Sequence, residues 1–173
     1  MDRPALEIRL ISASATRPLR AAILRPGQPE HELVYPGDDD AASLHVGAFD
    51  SAGNLRGVAT LLPQSPDDDA PADAGDWRLR GMAVVPEARR GGVGAALLAA
   101  CEAHAIAHGG QRIWFNARVD ALAFYQALGY TVIGDPYDLP GIGLHCFAER
   151  RLGAAEEPGG ADGRRAPGNR TMN

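Results

Sequence analysis

The chain has 173 residues, 17 arginines against 22 acidic side chains, and a formal net charge of −5, which suits one domain with a single substantial core. No basic stretch is long enough to track a nucleic-acid backbone, and no apolar run nears the roughly 18 residues that cross a bilayer. Residues 1–4 do not begin a signal peptide, so a cytoplasmic protein without a membrane or nucleic-acid partner is expected. Cys101 and Cys146 are far apart with no metal-ligand spacing, and they read as two buried reduced thiols. Every basic residue is arginine, which reflects compositional bias together with the heavy use of alanine and glycine.

Residues 6–11 alternate and predict a first strand. A short helix follows over 16–24, capped by Thr16, with Leu19, Ile23 and Ala22 sharing a face, and Pro26 to Pro29 end it. Residues 30–42 are irregular, and Tyr35-Pro-Gly-Asp-Asp-Asp40 reads either as an acidic loop suited to a cationic ligand or as a solvated turn. Residues 43–49 and 55–62 form a hairpin about the turn 50–54. Residues 63–75 are a surface loop rich in proline and aspartate, and 77–85 are the next strand.

A helix from Gly92 to about His108 carries Val93, Leu97, Ala100, Cys101 and His104 on one stripe, and Gly109-Gly110 stop it. Residues 111–116 form a short buried strand. Asp120 is the expected N-cap of a helix holding Leu122, Phe124, Tyr125 and Leu128, with Gly129 at its end. Residues 130–133 and 142–148 are the last strands, joined by a turn over 134–141. From residue 153 to 173 the composition has little to bury and predicts a disordered tail beyond a domain of 1–152. The order fits an α/β (α+β) architecture with helices on the faces of a mixed sheet.

The organising stretch runs from Met82 to Leu98. An apolar strand stops at Pro86, turns through Arg89-Arg90-Gly91-Gly92-Val93-Gly94, and enters an alanine- and leucine-rich helix. Amides unshielded by side chains at the positive end of a helix dipole suit a phosphate, with Arg89 and Arg90 at its rim. Arg89-x-x-Gly92-x-Gly94 after this strand resembles the acyl-CoA signature of the GNAT superfamily of N-acetyltransferases. Phe124-Tyr125-x-x-Leu128-Gly129-Tyr130, further along, resembles that superfamily's second signature. The ending Pro140-Gly-Ile-Gly-Leu-His145 loosely resembles its ElaA-like bacterial subgroup.

This resemblance covers roughly residues 6–152, and it puts the segments Arg25–Pro29 and Tyr35–Asp40 where members of the superfamily shape their acceptor site. It implies a mostly antiparallel sheet of about seven strands, acetyl-CoA as co-substrate, and a small-molecule or protein amine as acceptor, with homodimers frequent. It implies that the backbone of Met82, Ala83 and Val84 holds the pantetheine. The amides of Arg89, Arg90, Gly91, Gly92, Val93, Gly94 and Ala95 would hold the pyrophosphate. Tyr125 stands where the superfamily's general acid stands, and a phenol keeps its proton at neutral pH to give to a departing thiolate.

Two departures follow. Many members carry Asn where this chain has Arg118; Asn116 either takes over a polar contact to cofactor or substrate, or simply ends the strand. The strand glutamate that many members use as general base is missing too, because Arg78, Leu79, Arg80 and Gly81 precede Met82. His45, His145 or ordered water remain as ways to take the proton from an amine, and the base is unassigned. The reaction expected is direct attack of a primary amine on the thioester. A coenzyme sensor without turnover is the alternative. A dinucleotide-binding domain is excluded, because Leu97 takes the third glycine position and the next strand ends in Asn116, not an acidic residue.

Overall fold

The computed structural model describes residues 5–67, 69, 70 and 75–153. Seven strands form one sheet: β1 (Glu7–Leu10), β2 (Leu44–Phe49), β3 (Leu55–Pro63), β4 (Asp76–Val84), β5 (Arg112–Arg118), β6 (Thr131–Leu139) and β7 (Gly143–Arg151). Their spatial order is β1-β2-β3-β4-β5-β7-β6, and every neighbouring pair is antiparallel except β4–β5. The helices are α1 (Ala13–Leu19), α2 (Val93–Ala107) and α3 (Leu122–Ala127). The expected sheet, mixed and mostly antiparallel, is the one observed.

The centre of the sheet is covered on both faces, so β2 and β3 are buried almost continuously and show no solvent-facing alternation. Ala59 and Leu61 of β3 join the core under α2, whereas Thr60 points to the α1 side, where the Arg20 guanidinium donates to its hydroxyl at 2.8 Å. Helix α2 buries Val93, Leu97, Leu98, Cys101 and Ala105, a stripe with a four-residue repeat. Burial of Leu97 and of Leu98 contributes about 1.5–3 kcal/mol each. Gly57 lets that helix sit close, since a Cβ there would lie 2.8 Å from Val93 Cγ1. The helix stops as the glycine pair predicts: Gly109 adopts φ +74° and the Gly110 amide donates to the Ala105 carbonyl at 2.7 Å.

Several local expectations need correction. Helix α1 starts earlier, with Ser12 as the cap accepting from the Ala15 amide at 3.2 Å, and it passes into a π-helical turn over Arg20–Leu24. Its buried residues are Thr16 and Arg20, not Leu19 and Ile23, because Arg20 meets the buried carboxylate of Asp38. Asp120 does not cap α3; it lies in the 3-10 turn Val119–Ala121 that precedes it. The stripe of α2 runs through Leu98 and Ala105 rather than Ala100 and His104. The span 134–141 is mostly strand, because β6 bulges between Ile133 and Tyr137 and then pairs with β7 again as far as Leu139. The tail from 154 onward lies outside the described residues.

Candidate active site

Strands β4 and β5 are paired over three residues only, Asp76↔Arg112, Trp77↔Ile113 and Arg78↔Trp114. Beyond that point β5 follows β7, with which it pairs along its whole length, and β4 follows β3. The sheet therefore splits. Asp76 pins the closed end: Arg112 donates to both its carboxylate oxygens, at 2.7 and 2.8 Å, and to Glu149 of β7 at 2.9 Å. The Arg112 bonds, and less strongly the Ser65 hydroxyl, hold the Asp76 carboxyl below the usual range.

At the open end β4 bulges. Register shifts between Val58 and Thr60 of β3 leave an extra residue on β4, and Gly81 there adopts φ +62°. A Cβ at Gly81 would lie 2.8 Å from Arg20 Nε. Arg20 is fully buried and ion-paired to Asp38, and its guanidinium also donates to the Leu33 carbonyl at 3.1 Å. Burial alone would raise the Asp38 pKa, but the Arg20 pair and the Tyr35 amide outweigh it and hold it low.

Two cavities open from the split. The first, about 450 Å³, is lined by Met82, Ala83 and Val84 of β4, by Arg89, Arg90 and Gly94 of the turn, and by Phe124 and Tyr125 of α3. Gly92 caps α2 at φ +87°, and Arg90, at φ +62°, is the sole non-glycine residue with positive φ among those described. The two left-handed residues turn the chain so that the amides of Arg90, Gly92, Val93, Gly94 and Ala95 find no protein acceptor among the described residues. Such a nest of free donors at a helix N-terminus, with two arginines beside it, suits a pyrophosphate. Val93 contributes only its amide, because its side chain is in the core.

The second cavity, about 260 Å³, lies across the split. Arg78, Arg80 and Met82 of β4 form one wall, Phe115, Asn116 and Arg118 of β5 the other, with Leu24, Arg25 and Tyr35 above and His145 of β7 below. Alternation along β4 explains the arginines: Trp77 and Leu79 enter the core, so Arg78 and Arg80 share the opposite face. Arg78 lies over the Trp114 ring at 4.9 Å and Arg80 over the Tyr35 ring at 4.8 Å. Burial, with Arg78 as a like-charged neighbour, pushes Arg80 down to about 10. Burial also lowers Arg78.

Tyr125 lines both cavities, as do Met82 and Arg118. Its ring is buried against Phe115, 4.5 Å between centroids, and its hydroxyl makes no hydrogen bond among the described residues. Burial raises its pKa, so the phenol stays protonated through the neutral range. Asn116 is apart from the glycine turn; it lines the arginine cavity and its Oδ1 accepts from the Tyr137 hydroxyl at 2.5 Å.

The two histidines separate. His145 lines the arginine cavity, and its Nδ1 lies 2.7 Å from the Gly143 carbonyl. A carbonyl only accepts, so Nδ1 carries a proton, and in the neutral form of the ring the lone pair is on Nε2. His45 lines neither cavity. Its Nδ1 meets the Thr60 hydroxyl and its Nε2 the Asp38 carbonyl, both at 2.8 Å, so both nitrogens belong to the buried Arg20 network. The three aspartates of the acidic loop are not part of the site either: Asp38 is buried in its ion pair, and Asp39 and Asp40 are exposed outside both cavities.

The sequence reading missed Arg78 and Arg80. The alternation of Trp77, Arg78, Leu79 and Arg80 was the available signal for both, since it puts the two charges on one strand face. Arg25 and Tyr35 begin the two segments that the resemblance puts at the acceptor side, and the packing of the π-turn and the following loop brings both into the cavity lining.

Residues 14–130 match the family described as Acetyltransferase (GNAT) family. The chain is 36% identical over 148 residues to a protein of Bacillus subtilis (strain 168) described as an uncharacterized N-acetyltransferase, YitI; the match covers 85% of this chain and 97% of that one. Among solved structures it is similar to Escherichia coli ElaA, with a TM-score of 0.65 and 19% identity over 84% of this chain and 99% of that one. An aminoglycoside 6'-N-acetyltransferase complexed with coenzyme A matches with a TM-score of 0.61 and 16% identity, covering 84% and 96% of the two chains.

Proposed function

The chain belongs to the acetyltransferase (GNAT) family and is an acyl-CoA-dependent acyltransferase, and from that premise we propose that it moves an acetyl group from acetyl-CoA to a primary amine with Tyr125 as general acid. The observation that carries this reading is the shared wall: one unbonded, protonated phenol faces both the glycine-turn cavity and the arginine cavity.

The glycine-turn cavity is the coenzyme side. The amides of Arg90, Gly92, Val93, Gly94 and Ala95 hold the pyrophosphate, Arg89 and Arg90 neutralise its rim, and the backbone of Met82 to Val84 runs beside the pantetheine. When bound, acetyl-CoA supplies the activated acetyl thioester. The arginine cavity receives the amine, whose nitrogen forms the new amide bond as the carbon–sulfur bond breaks. Tyr125 gives its proton to the leaving sulfur. His145 Nε2 takes the proton that the amine nitrogen loses, which supplies the base that β4 lacks. The tyrosinate regains a proton from solvent and the His145 imidazolium returns one to it, so the net products are an acetamide and a free thiol.

Thiol release from acetyl-CoA with a panel of amines tests this. Tyr125→Phe is expected to lower kcat by about 10²–10⁴-fold, and His145→Gln by about 10²-fold, with acetyl-CoA affinity held. An unchanged kcat in Tyr125→Phe would remove the acid assignment. Tight acetyl-CoA binding without turnover of any amine would contradict the enzyme reading and leave a coenzyme sensor.

A further inference from the structure

The arginine cavity differs from its surroundings in what its charges lack. Arg25, Arg78, Arg80 and Arg118 line it, and among the described residues no carboxylate does. Among the described residues none of the four forms a salt bridge, although the chain as a whole is acidic. Their hydrogen bonds go to neutral groups: Arg25 to the Leu24 carbonyl at 2.8 Å, Arg78 to the Gln64 side-chain oxygen at 3.3 Å, Arg80 to the Pro36 carbonyl at 3.2 Å, and Arg118 to the Leu24 carbonyl at 3.1 Å.

Each of those bonds uses one nitrogen of a guanidinium that offers five N–H donors. Arg78 Nε is buried with no hydrogen-bond partner among the described residues. Four partly desolvated cations around a small cavity repel one another and repel any cationic ligand. The same set attracts an oxyanion, for which guanidinium forks are the matching shape. Tyr35 ties this set to the buried Arg20–Asp38 pair, since both Arg20 (4.2 Å) and Arg80 (4.8 Å) lie against its ring.

We propose that the acceptor is a small amine that also carries an oxyanion, a carboxylate or a phosphate, gripped by Arg78 and Arg80 with Arg25 and Arg118 at its rim. The anion end fixes the molecule so that its amine faces the junction formed by Tyr125 and His145. Polyamines and other multiply cationic amines are excluded as good acceptors. This inference rests on the arginine cavity being the acceptor side of the split, and it names the class of acceptor there.

Two measurements separate it from the reading beneath it. First, the coenzyme A-saturated protein is titrated with succinate and with inorganic phosphate, neither of which needs turnover and neither of which competes for the filled pyrophosphate site. Saturable binding of at least one is expected, weakened about tenfold or more in Arg80→Gln and less in Arg25→Gln, the second variant guarding against a folding defect in the first. No saturable binding, or binding unchanged in both variants, overturns the oxyanion site.

Second, acetyl-CoA turnover is compared across matched pairs: amino acids against their amides, phosphoethanolamine against ethanolamine, and spermidine. A kcat/KM at least about 10²-fold higher for the anionic member is expected, and the favoured pair tells carboxylate from phosphate. Arg80→Gln should raise KM for that member with kcat little changed. Preference for spermidine or for the members that lack the oxyanion overturns this inference while leaving acetyl transfer intact. Anion binding without turnover of any amine overturns acetyl transfer while leaving the oxyanion site intact.

Discussion

Arg112 and Arg80 stand on the two strands that flank the split, and their surroundings are opposite. At the closed end Arg112 meets two carboxylates, which raise its pKa well above the ordinary value. At the open end Arg80 meets a carbonyl and an aromatic ring, and burial beside Arg78 lowers it to about 10. The first arginine joins β4, β5 and β7 and has its charge satisfied within the fold. The second keeps its charge for something outside the fold. The contrast separates a structural cation from a recognition cation without reference to any relative.

The sharpest way to break this contrast is to remove charge beneath each end. Asp38→Asn should cost about 3–5 kcal/mol in urea unfolding, since it strands the fully buried Arg20 guanidinium. A loss under 1 kcal/mol would mean that the network is not rigid support for the β4 bulge.

At the closed end Asp76→Asn should cost less, about 1.5–3 kcal/mol, because Arg112 keeps Glu149. Acid should act on the same groups. Asp38 and Asp76 both have pKa values held below the ordinary carboxylate range, so their contributions are full above about pH 4 and fade as pH falls through the folded values. Unfolding midpoints at pH 7 and pH 3 check this; an Asp38→Asn variant should lose less on acidification than the parent.

Gly81→Ala should cost about 1–3 kcal/mol, from the left-handed backbone and the approach to an immobilised Arg20, and should depress turnover as the bulge shifts. Smallest is the effect expected of Arg80→Gln on stability, within about 0.5 kcal/mol of the parent, since no ion pair is lost. A loss comparable to that of Asp76→Asn would erase the distinction between the two ends.

The same contrast explains what the sequence displayed and what it hid. The glycine turn and its flanking strand and helix were legible because local chemistry dictates them: a proline stop, glycines at left-handed positions, a four-residue apolar stripe. Tyr125 was legible only as part of a motif, since a Phe-Tyr pair on a six-residue helix has no periodicity to distinguish acid from core. Nothing in the sequence marked Arg20 for burial, yet it is fully buried, because its partner Asp38 lies in an irregular loop whose path no pattern predicts. For the same reason Asp38, which read as part of either an acidic ligand loop or a solvated turn, is structural. The pairing of β6 through its bulge escaped because Gly134 and Pro136 read as turn residues, although a bulged strand also accommodates them.

In the proposed reaction Tyr125 stands between a coenzyme on one side of the split and an acceptor on the other. The structure of the protein bound to coenzyme A is the direct test. The pyrophosphate is expected on the amides of Arg90, Gly92, Val93, Gly94 and Ala95 and the thiol within hydrogen-bond reach of the Tyr125 hydroxyl, with the arginine cavity left open beyond it. A coenzyme lying in the arginine cavity, or a thiol remote from Tyr125, would contradict this reading.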